Sequence, residues 1–175
     1  MAGHSKWAKL KHQKGKTDAQ KSKTFSKLVR FIAVEAKKAK GDRTAPGLRT
    51  AIEKARAENM PADNIDRAID KAAGSGAELE PVQYEAYGPG GAAIIIEGYT
   101  DSRNRTAQEI KHLLAERGGA LATPGAAIWA FTKVEGKLEP TTTVPLSDED
   151  GQKLSELLEA LEEHDDVNEV YTNGA

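Results

Sequence analysis

Cysteine is absent from this 175-residue chain. That excludes disulfides, a thiol nucleophile and cysteine-ligated metal, and agrees with a reducing compartment. No apolar run approaches the length needed to cross a bilayer, and the first residues lack the apolar stretch of a secretory signal, so a cytoplasmic protein is expected, with the Asn104-Arg105-Thr106 sequon unglycosylated. Enzyme signatures are also missing. His4, His12, His112 and His164 are scattered with no H-x-x-x-H pair, and no serine lies in a G-x-S-x-G elbow. Gly88-Pro89-Gly90-Gly91 lacks GxGxxG spacing and precedes a β-rich run, which makes it a tight turn and not a phosphate cradle. Asp165-Asp166 reads as a solvated acidic turn in preference to a cation site. The expectation is a binding protein without cofactor or metal.

Acid is what the N-terminus has least of. Met1 to Lys40 carries twelve Lys or Arg against Asp18 and Glu35, whereas the whole protein has net charge −2. Residues 1–71 hold 18 basic and 8 acidic side chains, and residues 72–175 hold 7 and 19. So dense a like-charge cluster repels itself and gains little from folding alone, so a polyanion, nucleic acid first, is its simplest partner.

Residues 1–24 contain only Trp7 and Leu10 as large apolar side chains and are expected to form a basic arm, mobile until bound. From Phe25 the stripe Phe25, Leu28, Val29, Ile32, Ala33, Ala36 has helical spacing, and Gly41-Asp42 stops it. Leu48, Ala51, Ile52 and Ala55 give a second helix, broken at Asn59-Met60-Pro61; Ile65, Ala68, Ile69 and Ala72 give a third that starts at Pro61. Residues 25–73 are thus a small helical bundle, residues 74–81 a linker, and residues 82–175 a second domain. Its β-rich runs are Val82 to Tyr87, Ala92 to Thr100 with the covered block Ile94-Ile95-Ile96, Ala127 to Lys133, Lys137 to Val144 and Val167 to Thr172. Helices are expected at Arg103 to Arg117 and after Ser147, the latter on the stripe Leu154, Leu157, Leu158, Leu161. From Ala92 this order is β-α-β-β-α-β, so the fold class is α+β, a three-helix domain followed by a ferredoxin-like domain.

Five stretches resemble the YebC family: Met1 to Trp7 (MAGHSKW), Lys54 to Pro61 (KARAENMP), Tyr84 to Gly91 (YEAYGPGG), Thr100 to Thr106 (TDSRNRT) and Asp165 to Asn173 (DDVNEVYTN). The resemblance extends over nearly the whole chain. The resemblance implies a nucleic-acid-associated regulator. Members are described as probable transcriptional regulators that bind DNA; others are implicated in translation at the ribosome, including relief of stalling on proline-rich sequences, and eukaryotic relatives are mitochondrial translational activators. It also implies a third domain inserted between two middle strands of the second domain. Here only Val134 to Lys137 fills that place, so this is a reduced form.

Within that frame, Lys6, Lys9, Lys11, His12, Lys14, Lys16, Lys21, Lys23, Lys27 and Arg30 are candidate nucleic-acid contacts, with the turn at Met60 and Pro61 near the same surface. Trp7 either stacks on an exposed base or anchors against the bundle. Side chains able to read major-groove edges are sparse in residues 1–40, and no helix-turn-helix is convincing, which favours phosphate binding with weak sequence preference. Arg103, Asn104 and Arg105 open a helix and either hold phosphate or pair with nearby acids. Trp129, Phe131 and Tyr171 are read as core in preference to a stacking face. rRNA or the ribosome is the favoured partner, duplex DNA the alternative, and a protein-interaction role for the acidic domain the second alternative; no membrane contact is expected and a monomer is.

Overall fold

The computed structural model describes residues 17–74 and 79–175; the candidate contacts Lys6, Trp7, Lys9, Lys11, His12, Lys14 and Lys16 lie outside them. The described residues divide into two compact units, one of 17–74 with 79–81 and 99–101, the other of 82–98 and 102–175.

The first unit is built of helices α1 (Asp18–Lys38), α2 (Pro46–Ala57) and α3 (Ala62–Gly74). Helix α1 begins at Asp18, well before Phe25 and inside the stretch assigned from sequence to a mobile arm. The cause is local. Thr17 Oγ1 accepts from Gln20 N at 3.2 Å while Gln20 Oε1 accepts from Thr17 N at 2.8 Å, a reciprocal cap that satisfies two amides at the helix start. The helix ends as the sequence implies, with Lys40 and Gly41 at positive φ and Gly41 N donating to Ala36 O. Asn59, also at positive φ, ends α2 in the same way, with Met60 N on Ala55 O. Leu28, Ile32, Leu48, Ile52, Ile65 and Ile69 form one core with small alanines between them. Val29, placed by spacing on the inner stripe, is exposed, whereas Val34 is buried.

In the second unit the strands are β1 (Glu80–Tyr87), β2 (Ala93–Thr100), β3 (Ala120–Ala122), β4 (Phe131–Val134), β5 (Lys137–Pro140) and β6 (Val167–Thr172), and the helices are α4 (Arg103–Glu116) and α5 (Asp148–Glu163). The α+β class and the placing of two helices over a four-stranded sheet hold. The strands that make the sheet differ from the sequence reading. Their order is β3-β1-β2-β6, and β4–β5 form a separate hairpin. The short Gly88-to-Ala92 turn, closed by Gly88 N on Ala92 O at 2.8 Å, makes β1 and β2 neighbours and so takes the place assigned to the hairpin strands. Strand β3 pairs with β1 from Tyr87↔Ala120 to Glu85↔Ala122 and is too short to leave a period in the sequence.

Strand β2 is covered on both sides, which is why Ile94-Ile95-Ile96 is continuously apolar. Ile94 and Ile96 pack with Ile110 and Leu114 of α4 and Leu154, Leu157, Leu158 and Leu161 of α5. Ala93 and Ile95 pack on the opposite side with Ala127, Ala130, Phe131 and Tyr171. The hairpin and the loop before it therefore form a lid on the second face. Asn173 locks the sheet's end: its buried Oδ1 accepts from Ala93 N at 2.7 Å, and Thr172 Oγ1 donates to Ala93 O at 2.9 Å.

Candidate nucleic-acid interface

At 100° per residue, Lys23, Lys27, Arg30 and Lys37 fall on one side of α1, opposite Leu28, Ile32 and Ala36. Lys21, Lys23 and Lys37 are exposed, and Lys27 and Arg30 are half-buried. Burying the aliphatic stripe turns this side away from the helical core, although Val34 on the same side is buried and covers part of it. Lys21 lies on the line of the core stripe but beyond its end. Lys37, absent from the contacts expected from sequence, joins this side by the same helical spacing. Lys54 extends over the Phe31 ring, 5.4 Å from its centroid, close enough for a cation–π contact.

At the KARAENMP turn the two candidates separate. Pro61 is exposed, whereas Met60 is only 5% exposed and belongs to the helical core. The Met60 side chain therefore shapes the turn from inside and offers no surface to a ligand, a correction to the reading that paired it with Pro61.

At the start of α4, capped by Ser102, Arg103 and Asn104 are exposed and Arg105 is committed to a network. Its guanidinium donates to Asp166 Oδ2 at 2.6 Å, and Thr106 Oγ1 donates to the same oxygen at 2.7 Å. Asp166 is buried, so only Asp165 fits the solvated acidic turn expected from sequence. Next to it His164 Nδ1 accepts from Asp166 N at 3.1 Å, which leaves Nε2 to donate to Glu109 Oε2 at 2.6 Å. Ligand atoms of Glu109, His164 and Asp166 lie within 4.8 Å of one another. With Arg105 already neutralising Asp166, this group acts as an ionic clamp between the α4 start and the β6 entrance, and a metal ion there would compete with the guanidinium. Gly98 makes the clamp possible, because a Cβ at that position would lie 2.0 Å from Asp166 O, at the bulge where β2 and β6 shift register.

A second buried carboxylate organises the opposite face. Glu85 accepts from the backbone N–H groups of Gly125 at 2.6 Å, Ala127 at 2.9 Å and Ile128 at 2.6 Å. Burial pushes its pKa up, but the three amides outweigh that and hold it below the ordinary glutamate value. The segment it grips begins with a turn, Thr123-Pro124-Gly125-Ala126, closed by Ala126 N on Thr123 O at 3.0 Å with Gly125 at φ +91°, the signature of a type II turn. Trp129 follows. Phe131 and Tyr171 are buried as expected, but Trp129 is 62% exposed, so the three aromatics do not share one role. The Trp129 Nε1–H donates to Ala126 O at 2.8 Å, beside the Tyr87 hydroxyl at 3.3 Å, which itself donates to Ala126 O.

Fold and surface define a two-unit α+β protein in which a lysine-faced helical bundle precedes an acidic sheet domain. Family models assign it: "TACO1/YebC protein N-terminal domain" matches residues 5–75, and "TACO1/YebC second and third domain" matches residues 79–136 and 132–174. The chain belongs to the TACO1/YebC family. A relative from Thermotoga petrophila is 38% identical over 236 residues, covering 99% of this chain and 93% of the relative. One from Thermoanaerobacter pseudethanolicus is 38% identical over 237 residues, with 99% and 96% covered. Both are called "Probable transcriptional regulatory protein". A crystal structure of a conserved hypothetical protein from Aquifex aeolicus superposes with a TM-score of 0.84 at 34% identity, covering 98% of this chain and 97% of that one. The alignments with these two relatives span 236 and 237 positions against the 175 residues of this chain, and the second family match divides at the β4–β5 hairpin. The reduced form is thus closed by the two-residue turn Glu135-Gly136 at the place where the resemblance implies an inserted domain.

Proposed function

We propose that this chain is a nucleic-acid-binding regulator of gene expression that works by binding and not by catalysis, and that its partner is RNA, with the ribosome favoured. The observation that carries the reading is the segregation of charge: 18 basic against 8 acidic side chains in residues 1–71 and 7 against 19 in residues 72–175. Contact runs through the arm (Lys6, Trp7, Lys9, Lys11, His12, Lys14, Lys16), continues along Lys21, Lys23, Lys27 and Arg30, and reaches Pro61; Arg103 and Asn104 are secondary contacts. A lysine-rich surface in which base-reading side chains are sparse suits the irregular phosphate surface of folded RNA better than a major groove. We place the protein in the cytoplasm, as a monomer without cofactor, with residues 1–24, 25–73, 74–81 and 82–175 as its functional segments.

The test is sedimentation of a cell lysate through a sucrose gradient at low and high salt, comparing the intact protein with a variant in which Lys9, Lys11, Lys14 and Lys16 are alanine. Salt-sensitive co-sedimentation with ribosomes that disappears in the variant supports the reading. The names of the relatives favour a second one, binding to DNA at promoters. A protein that stays at the top of the gradient yet footprints a defined promoter decides for that alternative.

A further inference from the structure

We propose that Asn173-Gly174 is a site of spontaneous, backbone-assisted deamidation, and that the bonds tying this pair to Thr172, β2 and Val144 are the gate that holds the reaction back. The co-reactant is water. Gly174 N, on losing its proton, attacks Asn173 Cγ; the new C–N bond closes a succinimide ring, the Cγ–Nδ2 bond breaks, and Nδ2 leaves as ammonia carrying the proton that Gly174 gave up. Water then adds to one of the two ring carbonyls and opens the ring. The product is aspartate or, with the main chain routed through the side chain, isoaspartate.

Packing demands both members of the pair. Of the five asparagines in the chain, Asn173 alone precedes a glycine, the neighbour that hinders attack on the side chain least. A Cβ at Gly174 would lie 2.6 Å from Leu154 Cδ2 and 2.8 Å from Leu146 Cδ1, and Leu154, fully buried in the helix-side core, has no room to turn aside. Asn173 in turn supplies the oxygen that accepts from the buried Ala93 N at 2.7 Å. The same fold occupies the reacting groups. Gly174 N, the nucleophile, donates to Thr172 Oγ1 at 3.2 Å, and that hydroxyl donates on to Ala93 O at 2.9 Å. Asn173 O accepts from Val144 N at 2.9 Å, Asn173 N donates to Ala93 O at 3.2 Å, and Ala175 N donates to Val144 O at 2.9 Å. Ring closure must turn the peptide plane that carries both Asn173 O and Gly174 N, so it breaks the Val144 and Thr172 bonds together. Deamidation therefore waits on a local opening of residues 172–175, a small unit, and not on unfolding of the whole domain. The product recloses poorly. Aspartate puts a carboxylate at a position only 2% exposed, and isoaspartate inserts a methylene into the main chain where Gly174 bridges Val144.

The experiment incubates the full chain at mildly alkaline pH, folded and in urea, and follows residue 173 by tandem mass spectrometry of the tryptic fragment 154–175. Isoaspartate is measured by enzymatic methyl transfer from S-adenosylmethionine. Conversion is expected at Asn173 ahead of Asn59, Asn64, Asn104 and Asn168, and faster in urea by roughly a hundredfold or more. Thr172→Val keeps the shape but removes the oxygen that holds Gly174 N, so it should speed conversion of the folded protein on the order of tenfold, while Thr172→Ser should stay near the parent rate. Circular dichroism melting establishes that each variant is folded. If the valine variant is not, the parent carries the test: below its unfolding transition the rate should rise only shallowly with urea, because a local opening exposes little surface. Asn173→Asp, which carries one product from the start, should melt below the parent. A parent rate that climbs as steeply with urea as global unfolding, or a folded Thr172→Val that converts no faster than the parent, overturns the local gate. Conversion as fast in the folded protein as in urea overturns any gate. Equal melting of Asn173→Asp and parent overturns the poor reclosure of the product. An Asn173 that stays intact in urea, or is outpaced there by another asparagine, overturns the site itself.

Discussion

Burying the Glu85 carboxylate beneath the loop that carries Trp129 is tolerable because three backbone amides point at it. An amide at this position would present an NH2 group to at least one of those N–H donors, so Glu85→Gln should cost about 1.5–3 kcal/mol at neutral pH. The pH dependence has a definite sign. A carboxyl whose folded pKa lies below its unfolded value contributes stability above the unfolded pKa and loses it as pH falls through the folded one. The gap in stability between parent and Glu85→Gln should therefore be full near pH 7 and shrink in acid, below the ordinary glutamate range. Urea unfolding of both proteins across that range measures it; a gap that is constant with pH contradicts the assignment. Nothing in the sequence marks Glu85, since it sits in YEAY where a charged residue in a strand reads as solvent-facing. Its partners lie some forty positions along the chain. The same holds for Asp166, whose DDVN context looks like an exposed turn until Arg105 and Thr106 are brought to it.

At the scale of elements, legibility followed the length of the pattern. Helices with three or more apolar repeats (α2, α3, α5) were readable to within a few residues, and so was the fully covered strand at Ile94-Ile95-Ile96. Apolar spacing marks helix α1 only from Phe25, whereas its start at Asp18 is encoded in the Thr17-to-Gln20 cap. Sheet order could not be read at all from period, since β1 and the hairpin strands have similar composition; the tight Gly-Pro-Gly-Gly turn carried that information. The β4–β5 turn is legible and improvable. Glu135 and Gly136 both take positive φ, 49° and 81°, as a type I′ turn requires, and Val134 pairs with Lys137 across it. Glutamate fits the first position poorly, whereas asparagine tolerates it. Glu135→Asn should therefore stabilise the second unit by about 0.5–1 kcal/mol. The midpoint of its denaturant unfolding transition reads this directly, and a lower midpoint would mean that Glu135 makes a compensating contact.

For the whole molecule the deciding quantity is where charge lies, because a net charge of −2 on its own would repel a polyanion. Association must then be carried by the basic half, and its strength must depend on how many phosphates that half neutralises. Each neutralised phosphate releases counterions, so log K falls with log salt by roughly 0.7 per contact on single-stranded RNA and 0.9 on duplex DNA. The α1 face supplies a test that is independent of the arm. Replacing Lys23, Lys27, Arg30 and Lys37 together by glutamine keeps helix-compatible side chains and leaves the core stripe of Leu28, Ile32 and Ala36 untouched. If all four lie on phosphate, the slope for RNA becomes shallower by roughly 3. Affinity should fall by a similar factor for unrelated sequences, because phosphate contacts position the ligand without reading it. Filter binding at several salt concentrations, with two RNAs of different sequence, gives both numbers. An unchanged slope would remove α1 from the interface and leave the arm to carry the binding alone. A loss confined to one sequence would mean instead that the helix reads bases, contrary to the lysine-dominated character from which the phosphate reading began.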